Sequence, residues 1–127
     1  MALIMIVDDS PTEVHVIRTA LEKHGYETMS ASDGSECINL VRETRPDLIL
    51  MDVVMPGVNG FQATRTLSRD PSTASIPVVM ITTKAQETDR VWGMRQGAID
   101  YLVKPVAEAD LVAKAKEILA HSEGRPA

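Results

Sequence analysis

At 127 residues the chain has the length of one domain with room for a full core. Its 44% hydrophobic content is that of a globular protein, and a net charge of -5, from 13 Lys and Arg against 18 Asp and Glu, argues against a nucleic-acid surface, which would show a clustered basic stripe. The single cysteine, Cys37, excludes an internal disulfide and any cysteine-based metal site, and its helical spacing suggests a small buried apolar residue.

The first apolar run, Ala2 to Val7, predicts a buried strand. It is too short for a signal-peptide core and has no basic residue before it, and nothing in the chain approaches the roughly 20 apolar residues of a membrane span. A cytoplasmic chain with no membrane insertion is therefore expected. Asp8-Asp9-Ser10-Pro11-Thr12-Glu13 follows. Ser10 suits an N-cap, Pro11 the first helical position, and Glu13 completes a capping box. A helix is predicted from there to about His24, with Val14, Ile17 and Leu21 inward and Gly25 as its stop. Tyr26 to Ala31 reads as a shorter, more polar strand at a sheet edge.

Asp33-Gly34-Ser35 opens a second helix, with Ile38 and Val41 inward; it ends at Arg45, because Pro46 disfavours helix in the residue before it. Leu48-Ile-Leu-Met51 then runs straight into Asp52, and Pro56-Gly57 forces a turn. That pattern is a strand buried on both faces, with Asp52 at its carboxyl end. Asn59 caps a third helix, Gly60 to about Arg69, which Asp70-Pro71-Ser72 breaks. Ile76 to Ile81 is the fourth strand, ending at Thr82-Thr83.

The fourth helix runs to about Gln96, with Gly97 as its stop. Val91, Met94 and Ala98 are expected on its inner face, and Trp92 beside them is read as core or partial-core packing in preference to the alternative, a partner contact. Gly93 costs a helix about 1 kcal/mol relative to Ala, so a close packing contact is expected there. Asp100 to Val103 is the fifth strand, ending at Lys104-Pro105. The last helix carries Leu111, Ala115, Ile118 and Leu119; no polar residue caps it near Ala107, and Glu108 and Asp110 complement its dipole instead. A single domain over 1–121 is expected, with 122–127 as a flexible tail. His15, His24 and His121 show no ligand spacing and read as surface residues.

Strands and helices thus alternate five times. The pattern predicts an α/β fold, a flavodoxin-like (βα)5 doubly wound parallel sheet of order 2-1-3-4-5. Ligands in such sheets bind outside the carboxyl ends of the strands. There stand Asp8 and Asp9 after strand one, Asp52 after strand three, Thr82 and Thr83 after strand four, and Lys104 after strand five. Singly, each has a plain reading: a turn-capping aspartate, a strand-end hydroxyl, a solvated lysine. Jointly, three close carboxylates repel one another unless a hard divalent cation neutralises them, and Mg²⁺ with oxygen ligands fits. An aspartate beside Mg²⁺, a lysine and hydroxyls is equipment for accepting a phosphoryl group, with Asp52 as nucleophile and Lys104 and the metal stabilising charge.

From Leu3 to about Leu119 the chain resembles the receiver domain of two-component response regulators. The resemblance rests on Val7-Asp8-Asp9, Asp52 with Met55-Pro-Gly57 and Gly60, Thr82, and Lys104-Pro105. Asp8 to Glu13, Asn59 to Thr64, Thr82-Thr-Lys, Val91-Trp-Gly and Arg95-Gln-Gly97 are similar to stand-alone regulators of the PilH and PilG kind, which belong to chemotaxis-like systems controlling type IV pili and twitching motility.

The resemblance implies a single-domain response regulator of a phosphorelay. Asp52 would be phosphorylated from a phosphohistidine on a histidine kinase or phosphotransfer domain. Asp9, Asp52 and the backbone carbonyl of Val54 would bind Mg²⁺, with Asp8 helping through water. Lys104 would pair with the phosphoryl group, Thr82 would move to bond it, and Tyr101 would change rotamer with Thr82. The Lys104-Pro105 bond would be cis, which an X-Pro linkage tolerates. The output surface would be the fourth helix, fifth strand and fifth helix, meeting an unknown output protein. Such a chain catalyses only its own phosphorylation and dephosphorylation, and a monomer is favoured.

A phosphate sink or a non-phosphorylated scaffold of the same fold is the alternative. A dinucleotide-binding domain would need a Gly-rich turn where this chain has Asp8-Asp9-Ser10-Pro11, and an aspartyl phosphatase would need an acid two residues after its nucleophile, where this chain has Val54.

Overall fold

A computed structural model of the chain describes residues 2–123. Five strands and five helices alternate: β1 (Leu3–Val7), α1 (Pro11–Lys23), β2 (Glu27–Ala31), α2 (Gly34–Thr44), β3 (Leu48–Met51), α3 (Gly60–Arg69), β4 (Val78–Thr82), α4 (Glu87–Gln96), β5 (Asp100–Val103) and α5 (Glu108–Glu123). All pairings are parallel and the order is β2-β1-β3-β4-β5, the expected flavodoxin-like arrangement. The helix α5 passes residue 121 and runs to Glu123; the rest of the expected tail, 124–127, lies outside the described residues. Among the described residues, no helix is long and apolar enough to cross a membrane.

The period of two along each strand sorts the core into two layers. Ile4, Ile6, Leu48, Leu50, Val79 and Ile81 point to α1 and α5, against Val14, Ile17, Leu21, Leu111, Ala115 and Leu119. Met5, Val7, Ile49, Met51 and Val78 point the other way, against Cys37 and Val41 of α2 and Ala63 and Leu67 of α3. Full burial of each large side chain stabilises the fold by roughly 1.5–3 kcal/mol. Cys37 is a buried filler here: burial first, then the charges of Asp33 and Glu36, push its thiol up to about 12. His15, His24 and His121 are all exposed.

Local chemistry explains where the elements stop. Pro77 cannot donate to a ladder, so β4 starts at Val78 rather than Ile76. Arg45 ends α2 in the left-handed region, at φ 48°, just before Pro46. Asn59 and Gln62 form a reciprocal cap at α3, with N–H···O distances of 3.0 and 3.1 Å. At α1 only half of the expected box exists. Ser10 Oγ accepts the Glu13 N–H at 3.3 Å, but the Ser10 N–H donates to Asp8 Oδ1 at 2.9 Å, leaving the Glu13 carboxylate without its expected partner.

The inner face of α4 departs from expectation in part: Met94 and Ala98 pack inward with Met80 and Tyr101, but Val91 does not. Val91 and Trp92 are 40% and 47% exposed, while Gly93 and Gln96 are buried. The helix seats on the sheet through Gly93. A Cβ there would lie 2.7 Å from Met80 Sδ and 3.1 Å from the Tyr101 ring, so a larger residue at this approach would force those side chains to shift. With about 100° between successive residues, a contact line through Gly93 turns Trp92 and Val91 outward. The close contact expected at Gly93 is present; the core reading of Trp92 is not.

Candidate functional site

Strand register builds the site. Val7 and Met51 are partners across β1 and β3, so Asp8 and Asp52 leave the sheet at one level. The ladder continues one step past the strands: the Asp52 N–H donates to the Val7 carbonyl at 2.9 Å and the Asp8 N–H to Ala31 at 3.1 Å. On the other side Thr82 pairs with Val103, and the Lys104 N–H donates to the Thr82 carbonyl at 2.8 Å. The Lys104–Pro105 peptide bond that follows is cis.

Asp8, Asp9 and Asp52 each bring a carboxylate oxygen within 4.8 Å of the others. Asp8 is 4% and Asp52 9% exposed, whereas Asp9 is exposed. Lys104 Nζ lies 2.8 Å from Asp8 Oδ2 and 3.5 Å from Asp52 Oδ2. Burial pushes the Asp52 carboxyl above its ordinary value and the charge of Asp8 adds to this; Lys104, the Val53 N–H at 2.8 Å and the Thr82 hydroxyl pull the other way and lose. Burial works against the charge on Lys104, but Asp8, Asp52 and Glu13 outweigh it and hold its ammonium above the usual value. Three oxygen donors in need of neutralisation, with a charged lysine on one side, fit a hard divalent cation.

The peptide that carries Asp52 is clamped from above. A Cβ on Gly60 would overlap the Asp52 carbonyl oxygen and come 2.9 Å from Val53 Cα, so the amino end of α3 closes on this backbone only as glycine. The expected residues around it divide into two groups. Thr82 is fully buried and its Oγ1 accepts the Lys84 N–H at 3.3 Å. Tyr101 is buried, and its hydroxyl donates to the Lys84 carbonyl at 2.7 Å; burial, then Asp89 and Asp52, push its phenol up to about 12. Thr82 and Tyr101 thus meet on the backbone of one residue. Thr83 and the Val54 side chain face solvent, the latter 58% exposed.

One member of the site was not anticipated. Glu13 Oε2 lies 3.8 Å from Lys104 Nζ. The Ser-x-x-Glu spacing that reads as a capping box concealed it, because the same pattern serves both roles.

The chain is similar in sequence and fold to known proteins. A family model for the response regulator receiver domain matches residues 4–116. Protein PilH of Pseudomonas aeruginosa is 55% identical over 120 residues, covering 94% of this chain and 99% of that protein. The DNA-binding response regulator MtrA of Mycolicibacterium smegmatis is 39% identical over 124 residues, 98% of this chain; the chain spans 53% of MtrA's length. Among solved structures, the receiver domain of a signal transduction histidine kinase from Syntrophus aciditrophicus superposes with a TM-score of 0.92 at 33% identity, covering 100% of this chain and 96% of that one. Chemotaxis protein CheY4 of Vibrio cholerae gives 0.87 at 30%, covering 93% and 98%.

Proposed function

The chain belongs to the response regulator receiver domain family, and from that premise we propose that it accepts a phosphoryl group on Asp52 from the phosphohistidine of a histidine kinase or phosphotransfer domain. The reaction depends on Mg²⁺, takes place in the cytoplasm, and serves chemotaxis-like control of type IV pili. The last point is supported by the 55% identity to PilH.

The observation that carries the reading is the meeting of Asp52 with Lys104 at 3.5 Å beside the Asp8 and Asp9 carboxylates. Asp8, Asp9 and Asp52, with the Val54 carbonyl, would hold the metal. When bound, Mg²⁺ supplies charge neutralisation and polarises the phosphoryl oxygens. An Asp52 carboxylate oxygen attacks phosphorus; the new P–O bond forms as the P–N bond breaks, and its electron pair returns to the imidazole nitrogen. Lys104 stabilises charge on the transferred oxygens.

Phosphorylation adds about -1.5 to -2 charge and three acceptor oxygens. Turning a 1:99 equilibrium into 99:1 needs about 5.5 kcal/mol. Hydrogen bonds to charged groups supply roughly 1.5–3 kcal/mol each, so Lys104 and Thr82 together reach that scale. If Thr82 turns to the phosphoryl group it gives up the Lys84 N–H, and the Tyr101 contact to the same residue changes with it. Output passes through α4, β5 and α5, where Val91, Trp92 and Val103 offer exposed apolar surface.

Incubation with Mg²⁺ and a phosphorylated histidine kinase, followed by borohydride reduction and peptide mapping, tests the reading. Trapping at Asp52 is expected. Trapping at another residue, or at none, contradicts it.

A further inference from the structure

We propose that Glu13 is a positioning residue that acts through Lys104: its carboxylate competes for the ammonium and so restrains phosphorylation of Asp52. The inference rests on Asp52 as the phosphoacceptor.

Three observations carry it. First, Glu13 is free for the task. A capping box would turn its side chain back to the Ser10 N–H, but Asp8 Oδ1 holds that donor at 2.9 Å. Second, Glu13 faces the ammonium that also pairs with Asp52. Lys104 Nζ has Asp8 at 2.8 Å, Asp52 at 3.5 Å and Glu13 at 3.8 Å, and its side chain is only 12% exposed. Its side-chain hydrogen bond goes to Asp8, and the Asp52 and Glu13 carboxylates face it at ion-pair distance, so its charge is shared among three carboxylates. Third, Glu13 lies outside the three-carboxylate cluster of Asp8, Asp9 and Asp52. A cation held by that cluster neutralises its members and leaves the Glu13 charge still directed at Lys104. Glu13 stands instead on the lip of a groove of about 450 Å³ between α1 and α5, which Lys104, Pro105 and Val106 also line.

A phosphoryl group on Asp52 must therefore win Lys104 against a carboxylate that approaches from α1. Glu13 is also half exposed, so it can take up or release the ammonium without unfolding the helix end that Ser10 caps.

The test is the rate of phosphoryl adduct formation with Mg²⁺ and acetyl phosphate, read by intact mass for the wild type, Glu13→Gln and Glu13→Asp, with thermal melts alongside. Glu13→Gln keeps the shape and removes the charge; it should form adduct roughly two- to fivefold faster, the scale of a half-exposed ion pair. Glu13→Asp keeps the charge but is one methylene too short for Lys104, and should match Glu13→Gln. Damage to the fold would slow the reaction, so a gain in rate separates positioning from mere structure. Equal rates for wild type and Glu13→Gln, with adduct on both, overturn this inference alone. A Glu13→Asp rate equal to the wild type overturns the contact with Lys104. No adduct on the wild type removes the reading of Asp52 and this inference with it.

Discussion

Lys104 sits closer to Asp8 than to Asp52: its Nζ is 2.8 Å from Asp8 Oδ2 and 3.5 Å from Asp52 Oδ2. Asp8 is 4% exposed, and its other oxygen is held by the Ser10 N–H. Lys104→Met keeps the stem but leaves Asp8 buried without its ammonium. Urea denaturation in EDTA should show a loss of about 1–3 kcal/mol. Mg²⁺ should offset it, since a ligand at a hundredfold over its Kd stabilises by about 2.7 kcal/mol. No loss in EDTA would mean that the pair contributes nothing to stability.

The raised Asp52 carboxyl sets a pH dependence. Its folded form holds its proton above the ordinary value, because burial and then Asp8 oppose ionisation. The native state then binds more protons than the unfolded chain, so stability falls as pH rises from the ordinary carboxylate value of about 4 through the folded one. Asp52→Asn abolishes that fall. In EDTA, melting curves for the two proteins should separate as pH rises above about 4, with Asp52→Asn the more stable at neutral pH. In Mg²⁺ the wild type should recover and Asp52→Asn should gain less.

Asp100 behaves in the opposite sense. Burial works against its charge, but the hydrogen bond from Lys114 at 2.7 Å, the Tyr101 N–H and the Lys114 and Arg90 charges hold its carboxyl below the usual range. Stability from this group is present above the unfolded value and lost as pH falls through the lower folded one. Asp100→Asn should cost about 1 kcal/mol near neutral pH, and the difference should shrink below about pH 4. A pH-independent difference would show that the loss comes from packing.

Gly93→Ala sets two effects against each other. In a free helix the change gains about 1 kcal/mol. Here the new Cβ would meet Met80 Sδ at 2.7 Å and the Tyr101 ring at 3.1 Å inside the sheet face, and overpacking costs about 1–3 kcal/mol. The net should be destabilising, and Met80→Ala in the same chain should relieve part of it. A stabilised Gly93→Ala would mean that α4 is free to lift.

Much of this was legible because it depends on period and position. Continuous apolar runs ending in Asp8, Asp52 and Thr82 mark buried strands, the short run before Lys104 marks a further strand, and a parallel sheet gathers such ends on one rim. What escaped were choices between equal local readings. Glu13 fits a capping box by spacing, yet Asp8 takes the backbone donor, a contact set by tertiary structure. Trp92 reads as core by type, yet α4 seats through Gly93, whose approach depends on Met80 and Tyr101 beneath it. The join of Thr82 and Tyr101 through Lys84 has no sequence signal, since it runs through backbone atoms.

The most direct test of the central claim is intact-mass spectrometry after incubation with acetyl phosphate, with Mg²⁺ or with EDTA, on the wild type and on Asp52→Asn. One phosphoryl group on the wild type in Mg²⁺, none in EDTA and none on Asp52→Asn is the expected result. An adduct that forms without Mg²⁺, or that survives on Asp52→Asn, would contradict Asp52 as the metal-dependent phosphoacceptor.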